Sequence, residues 1–201
     1  MPAILVADDT DVLILLCWQY KTISSRYIRY FRRELHQGAK TAPSCWNMTV
    51  MRTVLGPQVC NNTLFVNTIL GCDTTPSLNG VGKKIGLKLI STNKVFFEQA
   101  QVFSKQNSTK AEVIAAEDKA LLHIYKGLPG DALNFLRFQR FHQKVGSSIS
   151  LVQPEVLPPS SAAAAYHSLC VYPQVQDWIG KATEMSPEDW GWYTHKVIIS
   201  C

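Results

Sequence analysis

The stretch that decides the interpretation of this 201-residue chain is residues 71–90, GCDTTPSLNGVGKKIGLKLI. It predicts a short helix, a glycine hairpin and a second helix over residues 74–90. Such a motif suits phosphate binding, because glycines let a backbone approach a phosphate closely and a helix N-terminus directs amides at it. A dinucleotide-binding loop would have to follow a strand, whereas the residues before Gly80 are polar and include Pro76. No Walker A pattern is present. A plain turn is the alternative interpretation.

A second informative segment lies near the N-terminus, where the apolar run Ile4–Ala7 is followed by Asp8, Asp9 and Asp11. The run predicts a buried strand. Clustered carboxylates repel one another unless a cation neutralises them, and Mg²⁺ binds through one or two carboxylates while keeping its waters. A turn with capping aspartates is the alternative. An EF-hand loop and a receiver domain are excluded, since neither the loop spacing nor an acceptor aspartate between Asp11 and Asp73 is present.

The charge distribution is uneven along the chain. The net charge is +5, but residues 12–110 hold 13 Lys and Arg against three acids, a net +10. A basic block of this kind favours a polyanion such as nucleic acid, although a solvated helical face is the alternative. The sequence contains no run of 18 apolar residues, so it predicts no membrane span, and we expect no membrane partner.

The rest of the chain is mainly helical by pattern. Helices are predicted over 63–70, 94–103, 111–126, 132–143 and 162–178. Residues 12–17 and 24–36 fit either a strand or a helix, and residues 38–63 predict loops with one short helix. We expect one domain at 1–130 and a mostly helical C-terminal extension at 131–201.

The cysteines and histidines show no metal-binding spacing. Without a secretory signal, the six cysteines are expected to be reduced thiols of an intracellular protein. The five histidines are expected to be structural or to lie at the surface.

Taken together, the segments Asp8–Leu13, Gly71–Thr75 and Leu78–Ile90 resemble the flap-endonuclease group of structure-specific 5′ nucleases, a branch of the PIN-like superfamily. The sequence is most similar to uncharacterised animal proteins of that type, which are often associated with transposons. They resemble it also at 125–127, 134–138, 157–160 and His167. The similarity covers about residues 3–178 and is most specific over Gly71–Ile90. It implies an α/β fold that is a partial PIN-like domain.

The resemblance also implies roles for individual residues. Asp9, Asp11 and Asp73 would be the catalytic and metal-binding carboxylates, with Asp8 flanking them, and the cofactor would be Mg²⁺ or Mn²⁺. DNA would be held along its backbone by a set of hairpin residues, with K⁺ at the hairpin carbonyls: Gly80, Gly82, Lys83, Lys84 and Lys88. A nuclear location follows from the same resemblance.

The nuclease family uses further acids upstream of this pattern, and residues 1–7 contain none. We therefore expect a divalent-metal-dependent nuclease that is incomplete, and weakly active or inactive as this chain. Should the chain cleave DNA alone, Glu98, Glu117 and Asp118 are the first candidates for additional acids. The alternative is a non-catalytic nucleic-acid-binding or interaction remnant.

Overall fold

The computed structural model describes residues 3–7, 9–19, 28–33, 44–147, 151–182, 185–195 and 198–200. These residues form a mixed α/β fold that is mostly helical. The strands are β1 Ala3–Ala7, β2 Ile28–Arg33, β3 Cys45–Asn47, β4 Tyr193–His195 and β5 Ile198–Ser200. The α-helices are α1 Thr10–Gln19, α2 Met48–Asn61, α3 Thr63–Ile69, α4 Lys83–Thr92, α5 Lys94–Ser104, α6 Lys110–Ile124, α7 Leu133–Ser147 and α8 Ser161–Trp178, with 3₁₀ turns at Pro154–Val156 and Pro187–Trp190.

A three-stranded sheet forms one layer, with strand order β1-β2-β3. β1 pairs with β2 in parallel, and β2 pairs with β3 in antiparallel fashion. The strand expected over Ile4–Ala7 is confirmed. The expectation that it is buried is wrong, because within the described residues β1 is an edge strand whose Ile4 and Val6 are exposed. Leu16, Phe31 and Met48 belong to a small apolar cluster beneath this sheet.

The main core lies between α3, α5, α6 and α8. Its centre is aromatic: the ring centroid of Phe65 lies 4.8 Å from that of Phe103 and 5.6 Å from that of Phe96. Tyr172 of α8 is 2% exposed, lies in the same cluster, and donates its hydroxyl to the carbonyl of Lys105. Helix α8 is therefore part of this core. The domain boundary at residue 130 stays a prediction.

The structure decides two open predictions and corrects a third. Residues 12–17 belong to a helix, and residues 28–33 within the basic aromatic segment are a strand. The prediction of loops with one short helix over 38–63 is wrong, because β3 and the 14-residue α2 occupy 45–61. Gly56, with φ 77°, and Pro57 kink α2, and these breakers obscured the helix in the sequence.

The cysteines follow the expectation only in part. Cys17, Cys45, Cys60 and Cys72 are free thiols. Cys170, buried on α8, is disulfide-bonded, so the expectation of a reduced thiol is wrong for this residue.

A close contact between α3 and α4 depends on Gly86. A Cβ at this position would lie 2.7 Å from Val66 Cγ1 and 2.9 Å from Leu70 Cδ1, and both neighbours are buried. We expect Gly86→Ala to lower the free energy of unfolding by about 1–3 kcal/mol, because the extra methyl overpacks the core. Chemical denaturation measures the change.

Gly146→Ala is the matched control, since Gly146 is also helical but a Cβ there meets nothing within 4 Å. It should stabilise the protein by up to about 1 kcal/mol through helix propensity. Equal effects of the two substitutions would show that the α3–α4 contact is not tight.

Candidate metal centre

Three carboxylates meet at one end of the sheet. Asp9 follows β1, Asp11 lies in the first turn of α1, and Asp73 lies in the loop between α3 and α4. One oxygen from each lies within 4.8 Å of the others. The predicted convergence is thus confirmed, and the exposed triad could hold a metal ion. Asp8 lies outside the described residues.

Asp9 also has a local structural role. Its Oδ1 accepts the backbone N–H of Asp11 at 2.8 Å, so Asp9 caps the N-terminus of α1. The interpretation of this segment as a turn with capping aspartates is therefore correct for Asp9. Capping holds the Asp9 carboxylate near that of Asp11, so the capping role of Asp9 is compatible with a role as a metal ligand.

Asp11 is held by two partners from other elements. Its Oδ1 accepts a hydrogen bond of 2.9 Å from Nδ2 of Asn67, and Lys83 Nζ lies 3.7 Å from the same oxygen. Lys83 also donates to the amide oxygen of Asn67. The ammonium of Lys83, predicted to contact the DNA backbone, therefore lies beside the acidic triad and offsets part of its charge.

Asn67 was not found by sequence reasoning. It is 1% exposed on α3, a helix in which every residue is buried. The available signal was a lone amide within the apolar run Leu64–Leu70, because a buried amide requires hydrogen-bond partners.

The loop that carries Asp73 is shaped by its neighbours. Gly71 has φ +97°, and a Cβ there would lie 2.4 Å from Ser77 Cα, so only glycine fits. Thr75 donates its hydroxyl to the Thr68 carbonyl at 2.8 Å, and Thr74 donates to Oε1 of Gln174 on α8 at 2.6 Å. The loop is thereby fixed to both α3 and α8.

A buried ion pair supports the same loop from behind. Glu117 on α6 is fully buried and contacts Nδ1 of His167 on α8, and Nε2 of His167 donates to the Pro76 carbonyl at 3.0 Å. Burial by itself would lower the pKa of His167, but the charge of Glu117 and the hydrogen bonds to Glu117 and Pro76 outweigh it and raise that pKa. Burial raises the pKa of Glu117, against the opposing effect of His167.

These contacts answer two earlier expectations. His167 is structural, as expected. Glu117 is engaged with His167 and Glu98 pairs with Lys94 at 3.8 Å, and neither belongs to the acidic triad. Asp118 is not a member of the triad either.

The glycine turn is open to solvent. Gly80 has φ +71°, and a Cβ at Gly80 or at Gly82 would meet nothing within 4 Å. Lys84 and Lys88 are exposed on α4, which begins directly after the turn. Residues 71–82 contain two turns and an isolated β-bridge between Cys72 and Thr75, and no helix. The predicted short first helix is therefore wrong, whereas the glycine turn and the second helix, α4, are present. The roles of these residues in binding DNA or K⁺ stay predictions.

No protein-family model, no curated protein and no solved structure matches the chain. Among the helices of the described residues, none combines the length and the apolar character needed to cross a membrane.

The pKa shifts of Glu117 and His167 predict how stability depends on pH. Both pKa values are raised in the folded state, so the folded protein binds more protons than the unfolded chain. The stabilisation from His167 is complete below the ordinary histidine pKa of about 6.5 and is lost as pH rises through the folded value. We expect the free energy of unfolding, measured in urea titrations, to fall as pH rises above about 6.5.

Glu117→Gln should flatten this pH dependence, because it removes the charge that raises the pKa of His167. Glu155→Gln, at an exposed position, is the control and should leave the slope unchanged. His167→Ala should cost about 3–5 kcal/mol, since it leaves a buried carboxylate without its partner. Identical pH profiles for wild type and Glu117→Gln would contradict the assignment.

Proposed function

We propose that the chain is the metal-binding portion of a structure-specific nuclease of the flap-endonuclease type. It binds Mg²⁺ or Mn²⁺ at Asp9, Asp11 and Asp73 and holds duplex DNA by its backbone. The observation that carries the proposal is the convergence of carboxylates that lie 62 residues apart in the sequence. Acids that converge at one end of the sheet, close to an open glycine turn, suit a site at which a metal ion and a phosphodiester bind side by side. An intracellular, nuclear location is part of the same proposal.

The donor set fits a hard divalent cation, which prefers carboxylate oxygen ligands. When bound, such a cation activates water and stabilises the charge that develops on the phosphoryl oxygens. The protein's own contribution is to position the ligands: Asn67 orients Asp11, the α1 cap orients Asp9, and the loop contacts orient Asp73.

Hydrolysis by this chain alone is expected to be weak or absent. Cleavage by the two-metal mechanism needs both ions about 4 Å apart, and three carboxylates with an ammonium beside them suffice for one. We expect little or no cleavage of a 5′-flap substrate with either Mg²⁺ or Mn²⁺. Robust cleavage that is lost in Asp73→Ala would contradict this expectation.

A non-catalytic nucleic-acid-binding function is the second candidate. The observation that favours it is the position of Lys83, whose ammonium already supplies a positive charge to Asp11. The two candidates differ in whether the triad takes up a divalent cation, and direct metal titration distinguishes them.

Substitution of Lys83 tests the metal site. Lys83→Met removes an ammonium that competes with the cation for Asp11, and we expect Mn²⁺ affinity to rise about fivefold, the equivalent of a partly exposed ion pair of up to ~1 kcal/mol. Calorimetric titration with Mn²⁺ measures it. Lys84→Met is the matched control, because it removes the same charge at the next residue.

Asp73→Asn should weaken Mn²⁺ binding strongly, whereas Asp189→Asn, at an exposed position on a distant segment of the chain, should not. Tight binding that survives Asp73→Asn would place the cation elsewhere. Absence of Mn²⁺ binding in wild type and in Lys83→Met would leave the non-catalytic candidate.

The exposed lysines of α4 provide the test of duplex binding. Lys84→Ala with Lys88→Ala should reduce the slope of log K against log salt concentration by about 1.8, since each phosphate contact contributes about 0.9. Fluorescence anisotropy with a labelled duplex at several salt concentrations gives the slope. Lys83 is left in place, because its ammonium faces Asp11.

The control is Lys94→Ala with Lys119→Ala, which removes the same charge from exposed positions on α5 and α6. This pair should change the slope little. Equal slopes for the two double variants would show that α4 does not contact the duplex.

A further inference from the structure

Helix α7 turns an aromatic surface toward solvent. Phe135, Phe138 and Phe141 are 49%, 57% and 43% exposed, although phenylalanine is normally buried. His142 and Val145 are also exposed, and at 100° per residue these five side chains cover an arc of about 120°. We call these five residues the aromatic face of α7. The helix meets the core through Leu133 and Leu136 on its other side.

The rings of the aromatic face do not close against one another. His142 lies 4.2 Å from Phe138 and 6.1 Å from Phe141 between ring centroids, with interplanar angles of 60° and 90°. Tilted rings of this kind leave ring surfaces open to solvent. An adjoining groove of about 380 Å³, lined in part by Phe138, Phe141 and Val152, continues the face toward residues 152–157.

The helix that carries this face is strongly basic. It contains Arg137, Arg140 and Lys144 and no acid. Arg137 donates to the Pro158 carbonyl, and Arg140 donates to the carbonyls of Tyr125 and Lys126 and to the amide oxygen of Gln143. Because these acceptors are uncharged, they do not neutralise the guanidinium groups. Among the described residues, no ion pair involves α7.

The acids close to α7 in sequence leave the net charge of this segment positive. Asp131, before α7, accepts the backbone N–H of Leu128 at 2.9 Å, and Glu155 lies in the 3₁₀ turn next to the groove. The segment from Tyr125 to Ser147 carries four basic residues and one acid.

Arg137 and Lys144 lie four residues before and three residues after Phe141 and so border the aromatic face, whereas Arg140 lies on the opposite side of the helix. Positive charge that borders exposed aromatic rings matches single-stranded nucleic acid, whose bases stack on rings while its phosphates contact Lys and Arg. A duplex fits less well, since its base faces are already stacked inside. We propose that the aromatic face of α7 binds single-stranded DNA by base stacking. This proposal rests on the proposed function in taking DNA as the substrate, and it assigns to α7 the single-stranded arm of that substrate.

The test compares a 12-nucleotide oligo(dT) with an abasic strand of equal length and charge, by fluorescence anisotropy in EDTA with the full chain. Wild type should bind oligo(dT) at least about tenfold more tightly than the abasic strand, because only the former has bases to stack. Phe138→Ala with Phe141→Ala should bind both strands equally. Tyr166→Ala, which removes an exposed aromatic residue from α8, is the control and should keep the preference.

Two further variants separate stacking from other effects. Phe138→Leu with Phe141→Leu retains apolar surface and should also lose the preference, which decides the question if the alanine variant does not fold. Lys144→Ala should reduce the salt slope by about 0.7 and keep the preference, since it removes a phosphate contact and no ring.

Equal binding of both strands by wild type, or a preference that survives the double substitutions, overturns the proposal. So does sedimentation that shows a dimer dispersed by Phe138→Ala with Phe141→Ala, which would make the face a contact between copies of the chain. Because metal is absent from this assay and the duplex assay depends on α4, failure here leaves the proposed function standing. Failure of the metal and duplex tests leaves the oligo(dT) preference as an independent result.

Discussion

The hydrogen bond from the buried Asn67 amide to Asp11 connects the two halves of the structure. Asn67 lies on α3, which is enclosed by the helical core, whereas Asp11 lies on α1 beside the sheet. An amide at 1% exposure without partners would carry a large desolvation penalty. The structure avoids it by using both ends of the amide, one toward Asp11 and the other toward Lys83. The acidic triad is therefore built onto the core.

Helix α8 has a comparable role for the third carboxylate. It contributes Tyr172 to the aromatic core, Gln174 to the Asp73 loop and His167 to the buried pair with Glu117. Because residues 161–178 follow Asp73 by about ninety positions, the loop conformation depends on a distant segment of the chain. A change in the protonation of the Glu117–His167 pair would act on the Pro76 carbonyl, three residues from Asp73.

The position of Lys83 changes how the basic residues are understood. Its ammonium reduces the mutual repulsion of the carboxylates, so the triad can assemble before a metal ion binds. Lys84 and Lys88 on α4 and Lys144 on α7 are exposed and form no ion pair among the described residues. Lys83 therefore belongs to the acidic site, whereas the lysines named above are exposed to solvent. A count of basic and acidic residues does not reveal this difference.

The sequence by itself determined the elements with clear local signals. The strand before Asp8, the helices after Thr63 and the clustered acids Asp9 and Asp11 were predicted, because apolar periodicity and clustered like charges are local properties. Asp73 was assigned to the same site only through the resemblance to the nuclease family. Tertiary structure decided the rest. The kinked α2 was missed because Gly56 and Pro57 imitate a loop, and the Asn67, Lys83 and His167 contacts join residues 16 to 91 positions apart. Such contacts arise from packing of whole helices, which no local pattern encodes.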